Sequence, residues 1–519
     1  MESLQRIFVV AGCTLLLGLA ARAQMIDNTQ ATNTAAAGIN KSLTDEIGAG
    51  RGSVMTPGSS LYIIDRDPFR SIRRGRQLFQ RKFTQAQGVG PNEGDGVGDL
   101  NSDIAIGAGL SDSCAGCHGR PRGSGGAGGN VVTRPDSRDA PHLFGLGLKE
   151  MLADEMTADL RSARDLALAQ AKRKKSPVTL KLRSKGVQFG SITGNPNGSV
   201  DTSQVIGVDS DLRIKPFMAE GSVISIREFI VGALHKEMGL EASSDPDLTA
   251  ASSGARVVTP AGMVLDGSKD KITPPPAPDA QNGNEIDAAL VDHLEFYLMN
   301  YFKPAHHQQN DATEHGRHVF NRIGCSSCHI SDMTIKHDRR VADLETNYDP
   351  VNGVFNSLFA TASPLFYTQD DGSGFPLLKR PAGNPFVVKD IYTDFKRHDL
   401  GPNFYERNWD GSMQTQFLTR PLWGVGSTGP YGHDGRSMTL NDVILRHGGE
   451  ATNSRNAFAA LPWHAQQNVI AFLNSLVLFP PDDTASTLDP ANPAKPNFPQ
   501  YGHGSIKLTV LFNDPTDLE

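Results

Sequence analysis

SDSCAGCHGR, residues 111–120, and GCSSCHI, residues 324–330, decide how this chain is read. Each carries the pattern C-x-x-C-H: Cys114, Cys117 and His118 in the first, Cys325, Cys328 and His329 in the second. The remaining cysteine is Cys13, so beyond the N-terminal segment every cysteine belongs to one of two copies of one motif. Two thiols followed at once by an imidazole suit a c-type haem, which needs two thioether bonds and a proximal iron ligand. A four-thiolate zinc site or a redox dithiol would use the cysteine pairs but gives no role to the histidine after each. Adjacent pairs at this spacing rarely close a disulfide on themselves. The expectation is two covalently bound haems, with His118 and His329 as proximal ligands.

The first residues set the compartment. Arg6 precedes an apolar run from Ile7 to about Ala20, followed by Ala21-Arg22-Ala23 and Gln24. A basic start, a short apolar stretch and an A-x-A site read as a secretory signal peptide over residues 1–23. The run is short for a membrane span, and too little apolar sequence precedes Cys13 for a lipoprotein site. An exported, periplasmic protein with no membrane span is expected. Across 519 residues, 38% are hydrophobic and 21% charged, the composition of a globular chain long enough for two domains. Fifty-three glycines and 32 prolines predict many loops. A net charge of -7 with no large basic block argues against a nucleic-acid partner.

The surroundings of the two motifs repeat. Gly75-Arg76-Gln77-Leu78-Phe79 precedes the first and Gly316-Arg317-His318-Val319-Phe320 the second. Pro141-His142-Leu143-Phe144-Gly145-Leu146-Gly147 follows the first and Pro421-Leu422-Trp423-Gly424-Val425-Gly426 the second. Matching order on both sides of both motifs points to a duplicated unit. A helix carrying G-x-x-[LV]-F ahead of such a motif is how a cytochrome c domain usually begins. The expected fold is mainly α, with two cytochrome c-like haem domains, long loop insertions and minor β. The boundaries expected are a flexible arm over 24–60, domain one over 61–240, a linker over 241–284, domain two over 285–480 and a tail over 481–519. Leu148–Lys174 and Ile286–Phe302 read as helices, the second opening domain two. The stretch 330–420, rich in Gly, Pro and aromatics, is a loop insertion that either builds a pocket or fills space.

Thr428–Arg436 (TGPYGHDGR) and the residues to Glu450 resemble the second domain of bacterial di-haem cytochrome c peroxidases. The chain is most similar to the di-haem oxidoreductases termed thiol oxidoreductases or peroxidases. Cys114–Arg120, His398–Gly401, the Pro-Leu-Trp-Gly turn at 421–424 and Leu445–Ala451 carry that likeness, which spans roughly 61–480. The resemblance implies a distal ligand for the second haem at His447, where the peroxidases have a Met. His433, His398 and Met438 stand in reserve, with His433 implied to contact the haem or its propionates. It also implies that the first haem is the reaction centre, with a distal acid/base at Glu150 or Glu155 on the helix after the 141–147 turn. A calcium ion between the domains is implied too, although no oxygen-rich loop suggests itself.

One departure stands out. The peroxidases have a Trp between the haems in the first domain, whereas this chain has Trp409, Trp423 and Trp463, all in its second half. Three readings follow. One is a peroxidase-like oxidoreductase using hydrogen peroxide or another small oxidant, with a small cytochrome or cupredoxin as electron donor. The others are an electron carrier with both irons six-coordinate, and an oxygenase acting on an organic or protein substrate.

Overall fold

The computed structural model describes residues 43–84, 87–89, 111–118, 139–278, 285–300, 305–306, 309–348, 358–374, 377–408, 411–477 and 505–506. The expected signal peptide, the first part of the arm, Trp409 and most of the tail lie outside these residues. The described chain is mainly helical, with small two- and three-stranded sheets. No helix among the described residues is long and apolar enough to cross a membrane.

Two helix crossings organise the molecule. Helix Pro68–Gln80 starts where Pro68 follows Asp67, whose side chain accepts from Arg70 N. It crosses helix Ala288–Asn300 at Gly75, where a Cβ would lie 2.2 Å from the His293 carbonyl oxygen and 2.3 Å from Tyr297 Cβ. Helix Asp311–Arg322 starts with a reciprocal cap between Asn310 and Thr313. It crosses helix Trp463–Asn474 at Gly316, where a Cβ would lie 1.9 Å from the Asn468 carbonyl oxygen and 2.9 Å from Phe472 Cβ. The aromatic at the end of each G-x-x-[LV]-F pattern then meets its counterpart across the crossing. Phe79 lies 5.8 Å from Tyr297 and Phe320 lies 5.4 Å from Phe472, between ring centroids.

The turns after the motifs match as well. Gly145 and Gly424 both adopt left-handed backbone, at φ 74° and 72°. Gly147 and Gly426 both back onto the end of the crossing helix, with an added Cβ 2.0 Å from Met299 O and 2.2 Å from Asn474 O. The repeat seen in the sequence is thus a repeat of packing, with two close glycine contacts and one left-handed glycine reproduced in order.

This arrangement moves the helix at 288–300. It was expected to open the second unit, but it packs on the 68–80 helix and closes the first. Every residue from Ala289 to Asn300 is buried. The segment expected to link the units contributes structure of its own. Asp245 caps helix Pro246–Ser252, and Arg256–Val258 pairs with Val264–Asp266. Leu248, Ala251, Met263 and Leu265 enter the same core as the 68–80 helix. A buried ion cluster ties these pieces together. Arg227 reaches Asp245, Asp292 and Glu295 at 2.7–2.9 Å, and Arg51 of the described part of the arm reaches Asp247 and Asp292. Breaking such a network would strand a buried charge, so these contacts fix the segments in place.

The helix expected from Leu148 runs Leu146–Lys174. A hairpin follows, Val178–Ser184 against Val187–Gly194, with Val200–Asp201 on its edge. Leu182, Val187, Phe189 and Ile192 pack from it onto Leu152, Met156 and Leu160 of the helix. In the insertion, short antiparallel pairs form, among them Met333–Ile335 with Phe386–Val388 and Arg397–Asp399 with Gln416–Leu418. In the tail, Ser505–Ile506 runs parallel to Phe359–Ala360.

Candidate haem-binding site

A cavity of about 330 Å³ opens between the second motif, the 390–455 segment and the 139–149 turn of the first unit. Cys325, Cys328, His329, His398, His433 and His447 all line it. The insertion therefore builds a pocket, since His398, Leu400, Phe404 and Phe417–Arg420 form much of its wall.

Three histidines share one hydrogen-bonding arrangement. His118 Nδ1 donates to Pro141 O at 2.7 Å, His329 Nδ1 to Tyr392 O at 2.9 Å, and His447 Nδ1 to Val443 O at 2.6 Å. A proton fixed on Nδ1 leaves Nε2 with its lone pair, which is how a protein presents imidazole to a metal. Burial keeps the rings neutral: it lowers His118 and His447, and takes His329 down to about 4. His447 also lies close enough to depress His329 further. Two neutral imidazoles thus face one cavity that also holds the two cysteines of the motif. Cysteine thiols and neutral imidazoles lining one cavity are a donor set that suits a haem.

The reserve candidates stand in different surroundings. Met438 is 74% exposed. His433 stacks on Phe417 at 4.1 Å and has Nε2 2.7 Å from Glu406, so it is a tethered part of the cavity wall. His398 is held by Glu450 at Nδ1 and Asp394 at Nε2, at 2.7 and 2.8 Å. Burial pulls its pKa down, but hydrogen bonds to Asp394 and Cys328 and the Asp394 charge outweigh it and raise it to about 10. Cys328, Asp394 and His398 bring three potential ligand atoms within 4.8 Å of one another. They are not the all-oxygen set that calcium takes.

The alternatives to haem fit poorly as well. The four described cysteines form no disulfide. Burial pushes the Cys114 and Cys325 thiols up to about 12, the reverse of what a reactive dithiol requires.

Residues 338–476 match the family of di-haem oxidoreductases. The family is described as "Di-haem oxidoreductase, putative peroxidase". The matched stretch holds His398, His433 and His447 but neither C-x-x-C-H motif, so the motifs and the family match are independent observations. No curated protein matches the chain. Among solved structures, hydrazine synthase of Kuenenia stuttgartiensis is similar at 13% identity, over 82% of this chain and 94% of that one, with a TM-score of 0.28. At that score the likeness carries no argument.

Both glutamates expected to serve as acid/base are committed elsewhere, and neither lines the cavity. Glu150 is buried, pairs with Arg339 at 2.6 Å and accepts from Ile226 N at 2.7 Å. Burial raises its pKa to about 8, against the pull of Arg339. Glu155 accepts from Lys185, Lys336 N and His337 N, which ties the helix to the 336–339 segment.

Trp423 of the second unit packs against the turn after the first motif. Trp423 is buried and covers Gly145, where an added Cβ would lie 2.5 Å from its ring. Its carbonyl accepts from His142 Nε2 at 2.7 Å, and His142 follows the Pro141 that holds His118. The signal for this contact was in the sequence, as the aromatic of the second turn, but its partner was not.

Proposed function

We propose that this chain is an exported di-haem c-type oxidoreductase of peroxidase type. Cys114 and Cys117 hold one haem with His118 as proximal ligand; Cys325 and Cys328 hold the other between His329 and His447. When bound, the haems supply one-electron chemistry at iron. The first serves as reaction centre and the second as electron relay, with hydrogen peroxide as oxidant and a small cytochrome or cupredoxin as donor.

The observation that carries this reading is the Nδ1-to-carbonyl hydrogen bond shared by His118, His329 and His447, which leaves three Nε2 donors at two cysteine motifs. The chain's own contribution is to fix these tautomers, to keep the second site between two imidazoles, and to bring the units together through His142 and Trp423. The test is low-temperature EPR of the haem-loaded protein, as isolated and after one-electron reduction, with peroxide turnover in parallel. A high-spin ferric signal from one haem and turnover of peroxide support the reading. Two low-spin haems in both states, inert to peroxide, leave a pure electron carrier. The engagement of Glu150 and Glu155 in ion pairs is what favours that second reading.

A further inference from the structure

Helix Leu146–Lys174 and the hairpin after it divide the cations around them into two groups. The first group is paired. Arg161 meets Asp270 at 2.7 Å, Arg213 meets Asp154 at 2.7 Å, Lys185 meets Glu155 at 2.6 Å and Lys336 lies 3.7 Å from Asp159. The second group is not. Lys172, Arg173, Lys174 and Lys175 at the helix end, with Lys181 and Arg183 on strand Val178–Ser184, are exposed and make no ion pair among the described residues. The acids of these elements are engaged elsewhere. Asp159 also accepts from Ser184 at 2.6 Å, Asp165 from Arg164 at 2.9 Å and Asp201 from Ser203 N at 2.8 Å.

The fold joins these six cations into one strip. Leu182 packs onto the helix, and successive strand residues face opposite ways, so Lys181 and Arg183 on either side of it point to solvent. Ser176 and Pro177 are all that separates Lys175 from the strand. At about 3.3 Å per residue, the strand carries the charge about 17 Å from Val178 to Arg183. The helix macrodipole accounts for cations in the last helical turn, but it gives no reason for the two on the strand. In a chain of net charge -7, the strip is a local field opposite in sign to the whole. It leads toward the second motif. Lys185, in the hairpin turn, donates to the carbonyl of Thr334, in the strand that follows His329. Met333 and Ile335 of that strand share a core with Leu182 and Phe189.

We propose that this strip docks a small protein through an acidic face on that protein. Taking the partner to be the electron donor rests on the functional reading above; the acidic character of its face does not. Complementary charge of this kind steers encounter and selects the partner, and it weakens as salt screens it. An anionic lipid surface is the poorer match. The outward positions of the strand, Thr179, Lys181 and Arg183, are polar throughout, whereas a membrane-lying surface sets apolar anchors beside its basic residues.

The experiment uses the purified full chain, with haem counted by its pyridine haemochrome spectrum and peroxide turnover measured first. The probe is plastocyanin, a cupredoxin with an acidic face, titrated by calorimetry at about 20 mM and about 200 mM salt. One saturable site is expected at low salt. It should weaken at least about tenfold at high salt, and by a similar factor in Lys172→Glu/Arg173→Glu/Lys181→Glu/Arg183→Glu. Arg256→Glu, at an exposed position on another sheet, should bind as wild type does. Should the fourfold variant fail to fold, Lys181→Gln/Arg183→Gln gives the same test with a smaller loss. Plastocyanin that does not bind, or that binds the charge-reversed chain equally well, overturns the proposal. Wild type that then sediments with phosphatidylglycerol vesicles, while the variant does not, assigns the strip to a membrane instead. A haem count of zero, or no peroxide turnover, with strip-dependent binding intact defeats the functional reading and leaves the docking surface standing.

Discussion

Replacing Gly316 with alanine sets two effects of opposite sign against each other. Within helix Asp311–Arg322, alanine is favoured over glycine by roughly 0.5–1 kcal/mol of backbone entropy. At this crossing, however, the new Cβ would sit 1.9 Å from the Asn468 carbonyl oxygen and 2.9 Å from Phe472 Cβ. Backbone cannot swing aside as a side chain can, so the two helices must part by more than an ångström. A gap of about 0.5–1 Å already forfeits a quarter to a half of each dispersion contact. The Phe320, Tyr392 and Phe472 cluster sits at that crossing, so the loss falls on its best-packed core. Overpacking of this kind costs about 1–3 kcal/mol or more, which exceeds the helix gain. Urea denaturation of the haem-loaded protein should show a net loss of about 1–2 kcal/mol for Gly316→Ala, and a similar loss for Gly75→Ala. Gly232→Ala is the control, because its Cβ meets nothing within 4 Å and alanine should leave stability equal or higher. A Gly316→Ala protein as stable as wild type would refute the close crossing, and with it the duplicated packing on which the two-unit account rests.

Four further outcomes follow. Arg339→Met strands the buried Glu150 carboxylate and should cost about 3–5 kcal/mol, read by chemical denaturation. Glu150→Gln should alter stability but leave peroxide turnover per folded molecule unchanged, whereas a selective fall in turnover would return Glu150 to a catalytic role. His447→Met should keep the second haem low-spin and raise its potential, while His447→Ala should open the iron and give a high-spin EPR signal. His398 has a pKa raised to about 10 from an ordinary 6.5, so its stabilisation is fully present below about pH 6.5 and lost as pH climbs through 10. His398→Asn should flatten that fall in melting temperature, and thioether formation at Cys328, which removes part of the upward push, should make the fall smaller and end it at a lower pH.

The cofactor expectation and the duplication both rest on short, spaced patterns. C-x-x-C-H names its own ligands, and the glycines of G-x-x-[LV]-F mark positions where two helices touch. What periodicity does not carry is the identity of the touching partner. The 288–300 helix was legible as a helix, but its burial on all sides gave no sign that it closes the first unit across Gly75. The 241–284 stretch looked like a linker because of its Pro, Ser and Asp content, yet Asp245 caps a helix and pairs with Arg227. Glu150 and Glu155 lie on the expected helix, but their ion pairs were not legible, since Arg339 and Lys185 are distant in sequence. His447 was reached through family spacing alone, and its Nδ1 bond to Val443 O gives that position a physical reason.

The central claim is that each C-x-x-C-H motif carries a covalently bound haem. Intact-mass spectrometry under denaturing conditions tests it most directly, on chain produced in a host that attaches c-type haem. The account predicts a mass equal to the processed chain plus two haems, falling by one haem in Cys114→Ala/Cys117→Ala and by the other in Cys325→Ala/Cys328→Ala. A chain that carries no covalent haem, or that binds zinc in proportion to its four thiols, would contradict it.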